Sequence, residues 1–114
     1  MAALFTKASR LTQSGEFNAV FNAPERKSSD RYFTVLGRCA SGIDCPRLGL
    51  VVAKRQIARA HERNRVKRLI RESFRLYPHE SAQDMVVIVR HAAQHADNEE
   101  LFRALARHWR KMAP

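Results

Sequence analysis

The sequence is short of the residues that build disulfide scaffolds, metal centres and membrane spans. Its 114 residues include two Cys, four Gly, four Pro and one Trp. Cys39 and Cys45 have no Cys or His partners at zinc-ligand spacing, so we expect no metal site. Their spacing allows a disulfide between them, although a cytoplasmic protein normally keeps both thiols reduced. No apolar run approaches the roughly 18 residues of a membrane span, and the first residues lack the basic-then-apolar order of a signal peptide. We therefore expect a soluble, cytoplasmic protein without membrane association.

Acidic residues are also scarce. Eleven Asp and Glu face 21 Lys and Arg, which gives a formal charge of +10. This excess is far larger than solubility requires, and it favours a polyanionic partner. With 45% hydrophobic residues, the chain is long enough to bury roughly two thirds of its unfolded surface. We expect a single domain over residues 1–114, with flexible ends at 1–10 and 112–114.

Hydrophobic periodicity predicts a mixture of helices and strands. A helix is expected from about 13 to 22, because Phe17, Val20 and Phe21 form an i, i+3, i+4 stripe. Residues 26–30 are polar and charged. The β-branched and aromatic segments 31–37 and 47–53 predict two strands, joined as an antiparallel hairpin.

A third strand is predicted at 84–90 and a last helix at about 98–111, with an N-cap at Asp97. One side of that helix is apolar and is expected in the core: Leu101, Leu105, His108, Trp109 and Met112. The residues alone thus predict the order α, β, β, α, β, α and a mixed sheet covered by helices.

The positive charge is concentrated in one segment. Residues 54–75 hold nine of the 21 basic residues and only two acids, Glu62 and Glu72. A helical wheel over about 57–76 separates two arcs. The apolar arc contains Val66, Leu69, Ile70, Ser73 and Phe74. The polar arc contains Asn64, Lys67, Arg68, Arg71 and Arg75.

Most charged helix faces contact only solvent and bind no ligand. Such faces usually contain both acidic and basic residues, however, because like charges at i, i+4 cost a few tenths of a kcal/mol. Lys67 with Arg71, and Arg71 with Arg75, are like-charged neighbours of this kind. Arginine also binds phosphate oxygens in pairs and stacks on bases. The arc therefore indicates contact with nucleic acid.

The run RNRVKRLIR at 63–71, preceded by RLGLVVAKR at 47–55, resembles the signature of the bacterial ribonuclease P protein subunit. The similarity extends from about Phe17 to Trp109. It implies an α+β fold, a two-layer sandwich of order α-β-β-β-α-β-α like the second domain of a ribosomal protein. Its central mixed sheet would contain a left-handed β-α-β crossover, whereas the residues alone predict the usual right-handed one.

The resemblance also implies a function. Members of this family are partners of a catalytic RNA, and the holoenzyme hydrolyses one phosphodiester to remove the 5′ leader of precursor tRNA. Mg²⁺ is held mainly by that RNA, so we expect no catalytic or metal-binding residues in the protein and no obligate protein partner. The residues that match the RNA-subunit-binding motif are Arg63, Asn64, Arg65, Lys67, Arg68 and Arg71, with Arg55 and Arg59 as auxiliary contacts.

The family's second surface is a cleft between the first helix and the sheet, which holds the single-stranded leader. An aromatic face accepts any base by stacking, although a Phe pair at i, i+4 is more often part of a core. Some relatives carry an aromatic residue at the position of Leu36. The residues assigned to this cleft are Phe17, Phe21, Thr34, Leu36, Val51 and Ala53.

Three other functions would use a basic helix. A structural RNA-binding protein of ribosomal type would need no aromatic groove. A DNA-binding regulator would place a helix-turn-helix pair in the major groove, but strands are predicted on both sides of this helix. A membrane-surface helix would need the apolar arc that the core requires. His91 and His95 have i, i+4 spacing but lie in an expected loop, where solvation is the simpler interpretation.

Overall fold

The computed structural model of the protein describes residues 14–39, 46–79 and 82–113. The expected flexible segments 1–10 and 114, the expected start of the first helix at about 13, and Cys45 lie outside this part. The elements are α1 (Ser14–Asn22), β1 (Arg26–Ser29), β2 (Phe33–Cys39), β3 (Arg47–Val51), α2 (Ala60–Leu76), β4 (Gln83–Val89) and α3 (Asn98–Met112). The order α-β-β-β-α-β-α implied by the resemblance is confirmed. In the described residues, no helix is long and apolar enough to cross a membrane.

The four strands form one mixed sheet in the order β1-β2-β4-β3. β4 runs antiparallel to β2 and parallel to β3. The predicted hairpin between segments 31–37 and 47–53 is therefore wrong, because β4 lies between the two strands. Six of the seven β4 residues are buried, as expected of a strand that is paired on both edges and covered on both faces. The β3-α2-β4 connection joins neighbouring parallel strands, and its left-handed path stays a prediction of the resemblance.

The hairpin that does form joins β1 and β2. The sequence of β1 is RKSS, and only Ser28 of its four residues is buried. Such an edge strand has no apolar alternation, which is why periodicity did not indicate it. Asp30 fixes the turn, because its Oδ1 accepts hydrogen bonds from the backbone N–H of Tyr32 and of Phe33, each at 2.8 Å.

One face of the sheet packs against α2 and α3 and forms the main core. Phe33, Val35 and Val87 are fully buried there. Both helices contribute the residues that the helical wheels predicted. Those of α2 are Val66, Leu69, Ile70, Ser73 and Phe74, and those of α3 include Leu101, Leu105, His108, Trp109 and Met112.

Hydrogen bonds fix α3 at both ends. Asp97 is its N-cap, as predicted, and its Oδ1 accepts a hydrogen bond from the Glu100 backbone N–H at 2.8 Å. Trp109 Nε1 donates to Ser73 Oγ at 2.9 Å and joins α3 to α2. Met112, which the sequence placed in a flexible end, is 1% exposed. The 3₁₀ helix His91–His95, where a loop was expected, leads into α3.

The opposite face of the sheet packs against α1. Val20 of α1, Leu36 of β2 and Val86 of β4 form a second, smaller apolar cluster. Phe17, Val51 and Ile88 lie at its edge and are only partly buried. The sheet thus separates two surfaces, one beside the basic helix and one beside the Phe pair.

Candidate nucleic-acid interface

The basic residues of α2 and of the turn before it fall into two groups. In the first group the side chains of Arg55, Arg59, Arg68 and Arg71 are exposed, and that of Lys67 is half-buried. Within the described residues none of these five side chains makes a hydrogen bond or an ion pair. They are thus available to an external anion.

The second group consists of Arg63 and Arg65, whose guanidinium groups bind the protein itself. Arg63 Nη1 donates to the carbonyl oxygens of Ile57, at 3.0 Å, and Ala58, at 2.7 Å. These carbonyls belong to the turn that precedes α2. Arg63 therefore holds the entry into the helix, and the residue is half-buried.

Arg65 is held more completely. Its Nη1 donates to Asn98 Oδ1 at 2.6 Å, and its Nη2 lies 3.4 Å from the carbonyl oxygen of Ala96. The same Nη2 lies 3.3 Å from Glu62 Oε2, and the side chain is 28% exposed. Arg65 thus links α2 to the start of α3.

The acids of α2 are placed so that they neutralise only part of its charge. Glu62 pairs with Arg65, and Glu72 pairs with Arg75. Lys67, Arg68 and Arg71 have no acidic partner among the described residues. Because arginine stays protonated at any relevant pH, this face carries a permanent positive potential.

Asn64 lies on the same face and is exposed. Its amide can both donate and accept hydrogen bonds, so the face offers a polar group beside the cations. Of the predicted set, Asn64, Arg68 and Arg71 thus line one depression on α2, whereas Arg55 and Arg59 precede the helix and Arg63 and Arg65 bind the protein itself.

The Phe pair lies on the other side of the sheet. The rings of Phe17 and Phe21 stack with centroids 6.2 Å apart and an interplanar angle of 18°. Phe21 is 44% exposed and is one of two large hydrophobic residues exposed in the described part of the chain. Phe17 is partly buried against the cluster under α1. The pair therefore offers an accessible aromatic face next to the sheet.

The strand register determines the floor beside this pair. Thr34, Ile88 and Val51 are aligned across β2, β4 and β3, and all three are half-buried. The next row contains Leu36 and Val86, which α1 covers. Leu36 is 7% exposed. The open part of the floor is therefore the first row.

Two of the predicted cleft residues have additional roles. Thr34 Oγ1 shares a hydrogen bond with Ser29 Oγ at 2.9 Å. Ala53 lies beyond the end of β3, and its carbonyl oxygen accepts from the backbone N–H of Gln56, at 3.0 Å, and of Ile57, at 3.1 Å. Ile88 was missed by the sequence analysis, although pairing segment 84–90 with both other strands would have placed it beside Thr34.

The described residues contain no group of three or more His, Cys, Asp or Glu side chains that could hold a metal ion. His91 and His95 are both exposed on the 3₁₀ helix, with ring centroids 5.5 Å apart. His91 Nδ1 lies 2.9 Å from the carbonyl oxygen of Gln56.

A mixed sheet with a cationic helix on one face and a stacked aromatic pair on the other defines an RNA-binding α+β domain. Comparison with known proteins shows which family of RNA-binding proteins the chain belongs to. The family model Ribonuclease P matches residues 5–113, so the chain belongs to the ribonuclease P protein family.

Individual relatives agree with this assignment. The ribonuclease P protein component of Edwardsiella ictaluri is 47% identical over 108 residues, covering 94% of this chain and 89% of the relative. That of Proteus mirabilis is 45% identical with the same coverage. The structure of the Staphylococcus aureus RNase P protein superposes with a TM-score of 0.81 at 30% identity, covering 89% of this chain and 92% of the other. The Thermotoga maritima protein gives 0.79 at 29% identity, covering 92% and 98%.

The resemblance drawn from RNRVKRLIR is thereby confirmed. The chain is part of a tRNA-processing ribonucleoprotein endonuclease, and its partner is ribonuclease P RNA. Family membership favours this function over that of a structural RNA-binding protein of ribosomal type.

Proposed function

We propose that the chain binds ribonuclease P RNA through the exposed face of α2 and the 5′ leader of precursor tRNA through the cleft beside α1. It thereby holds the substrate while the RNA performs the endonucleolytic step that gives the mature tRNA 5′ end. The observation that carries this proposal is the placement of the two surfaces on opposite faces of one rigid sheet. One domain can thus contact two RNA segments at once.

The α2 surface has the properties of a phosphate-binding face. Arg68 and Arg71 are exposed and without protein partners among the described residues, so their binding to phosphate breaks no existing ion pair. Lys67 adds a point charge, and Asn64 adds a group that can bind a base edge or a ribose hydroxyl. Arg55 and Arg59 extend the surface along the turn from β3 to α2. Arg63 and Arg65 contribute by fixing this surface and by the part of each guanidinium that stays accessible.

The cleft has the properties of a single-strand site without sequence preference. Phe21 offers an exposed ring, and Phe17 holds that ring in a stacked arrangement. Base stacking on an aromatic side chain contributes about 1–3 kcal/mol and tolerates every base. The row Thr34, Ile88 and Val51 supplies a shallow apolar floor with one hydroxyl. Leaders of different sequence could then bind with similar affinity.

We place the hydrolytic chemistry on the RNA, with Mg²⁺ held mainly by that RNA. The protein acts on this chemistry by electrostatics and positioning. Cations on α2 lower the repulsion between phosphates that opposes the approach of substrate and of metal ions to the RNA. We assign the protein to the cytoplasm, where precursor tRNA is made, without a membrane contact or an obligate protein partner.

Reconstitution tests this function. The purified chain is mixed with catalytic RNA at low magnesium concentration, and cleavage of precursor tRNA is measured. We expect the chain to restore cleavage and to be inactive without the RNA. The double variant Arg68→Ala, Arg71→Ala should require a higher protein concentration. The matched control Arg103→Ala, Arg107→Ala removes two exposed charges from α3 and should not.

Two outcomes would contradict the proposal. Equal loss in both double variants would show that only the overall charge matters, not the α2 surface. Cleavage by the chain in the absence of RNA would place the chemistry on the protein.

A further inference from the structure

A groove between α2 and α3 is left unexplained by the two surfaces described so far. It has a volume of about 530 Å³, within the roughly 300–1,000 Å³ typical of small-ligand sites. Leu69 and the half-buried ring of Phe102 form its apolar part, and polar side chains surround them. The full lining is His61, Asn64, Arg65, Arg68, Leu69, Glu72, Asn98 and Phe102.

A second depression adjoins this groove on the α2 side. It has a volume of about 320 Å³ and shares Asn64, Arg68 and Glu72 with the first. Its other residues are Arg71 and Arg75, so its character is cationic. The two depressions together place an apolar slot with an aromatic wall directly next to a cluster of guanidinium groups.

Several polar groups of the groove can form hydrogen bonds or ion pairs with a ligand. Asn98 Oδ1 accepts the hydrogen bond from Arg65 Nη1, which leaves the amide NH₂ of Asn98 free of that contact. Asn64 is exposed and offers both a donor and an acceptor. Arg68 stands between the two depressions without a protein partner among the described residues. A ligand that combines a planar heterocycle with an anion fits this arrangement, because the heterocycle can bond to the amides and the anion can bind Arg68.

We infer that the groove holds one unpaired nucleotide of the ribonuclease P RNA. The base lies in the slot against Phe102 and Leu69, with the amides of Asn64 and Asn98 at its edge. The attached phosphate lies on Arg68 and Arg71. This inference rests on the proposed function, because the groove adjoins the same α2 surface. It adds the binding of one base to the phosphate contacts already proposed for that surface.

Charge complementarity decides between RNA and other ligands. An apolar peptide would occupy the slot but would leave the neighbouring arginines unused. Structured RNA supplies both parts in one residue, because an unstacked base carries its own phosphate. Aromatic stacking then adds affinity that the salt concentration does not screen, unlike the phosphate contacts.

Photocrosslinking tests the location. A benzophenone side chain is introduced at position 102 and, as a matched control, at position 103, where Arg103 is exposed on α3. Each protein is bound to the full catalytic RNA, irradiated, and mapped by primer extension. We expect position 102 to crosslink to a single unpaired nucleotide and position 103 to give no such product.

Affinity for the same RNA tests the energetics. Phe102→Leu keeps the apolar contact with the core but removes the ring, so it should weaken binding about fivefold, whereas Phe102→Tyr should bind as the unchanged chain does. Thermal unfolding of each variant is recorded in the absence of RNA. A loss of affinity in Phe102→Leu at an unchanged unfolding midpoint supports the groove.

The outcomes separate this inference from the proposed function. If Arg68→Ala weakens RNA binding but Phe102→Leu does not and position 102 crosslinks to no nucleotide, the groove is empty in the complex and the inference is wrong, while the α2 surface stands. Crosslinks from 102 to paired nucleotides alone would also overturn it. If neither variant affects RNA binding, the proposed function itself fails.

Discussion

Arg65 Nη1 and Asn98 Oδ1 lie 2.6 Å apart and join the second turn of α2 to the first residue of α3. The same guanidinium reaches the Ala96 carbonyl at the end of the segment between β4 and α3. A residue in the middle of the basic signature therefore connects two helices of the core. Its neighbour Arg68 makes no such contact within the described residues. Residues three positions apart on one helix thus serve different purposes.

The first prediction separates these two purposes. Arg65→Ala should lower the free energy of unfolding by about 1–2 kcal/mol, because it removes hydrogen bonds made by a charged group. Arg68→Ala should leave stability unchanged but reduce the slope of log K against log salt by about 1, as expected for one lost phosphate contact. Urea unfolding and RNA titrations at several salt concentrations measure both quantities. The reverse pattern would show that Arg65 faces the RNA and Arg68 does not.

The second prediction concerns the leader cleft. Phe21→Ala should weaken binding of precursor tRNA to the holoenzyme by about 1 kcal/mol or more through lost stacking. The fold should be unaffected, since Phe21 is 44% exposed. Binding is measured with substrates that carry either a long leader or a leader of a single nucleotide. An equal loss with both substrates would show that Phe21 acts elsewhere than on the leader.

The α2 helix shows how much could be predicted from sequence. The alternation of apolar and cationic residues identified its buried face residue by residue, because helical period alone determines which side faces the core. Arg63 and Arg65 could not be assigned in the same way. Their guanidinium groups reach carbonyls of the preceding turn and of the α3 entry, and no periodic pattern records such contacts.

The sheet shows the opposite case. Segments 31–37 and 47–53 follow each other in the chain, so proximity favoured a hairpin, but strand order depends on which strand can be buried on both faces. β4 is that strand, because its sequence is a continuous apolar run, and it lies between β2 and β3. The same error concealed Ile88, whose place in the cleft floor follows only from the true register.

The third prediction tests the pairing of β3 with β4. Arg47 and Asp84 are register partners, and the Arg47 guanidinium donates to both carboxylate oxygens at 2.7 Å. Their side chains are 13% and 8% exposed. Asp84→Asn should therefore lower the free energy of unfolding by about 1–2 kcal/mol, because it weakens hydrogen bonds made by charged groups at a largely buried position.

The exposed pair Arg103–Glu99 on α3 provides the control. Glu99→Gln should change stability by less than about 0.5 kcal/mol, because both partners are in water. Denaturant unfolding of the two variants gives the comparison. Similar small effects would show that the Arg47–Asp84 pair is not needed to hold β3 against β4.

The last prediction concerns pH and the buried His108. Its Nδ1 lies 2.7 Å from Ser28 Oγ and its Nε2 lies 2.9 Å from Asp30 Oδ2. Burial lowers the pKa of His108 below 6.5 and outweighs Asp30, which raises it, while Lys111 and Arg107 add to the lowering. Burial likewise lowers the pKa of His79, against a hydrogen bond to the Phe74 carbonyl.

Because both pKa values are lower in the folded state, the unfolded chain binds more protons on acidification. Above about pH 6.5 both rings are neutral in the folded and in the unfolded chain, and the fold has its full stability. This stability is lost as the pH falls through the lowered pKa values of the folded state. We expect the unfolding midpoint to drop between pH 7.5 and 5, and to drop less in His108→Gln, compared with a variant of the exposed His95 as control. NMR titration measures the pKa of His108 directly. A value above 6.5 would show that the Asp30 carboxylate prevails over burial, and His108 would then stabilise the fold on acidification instead.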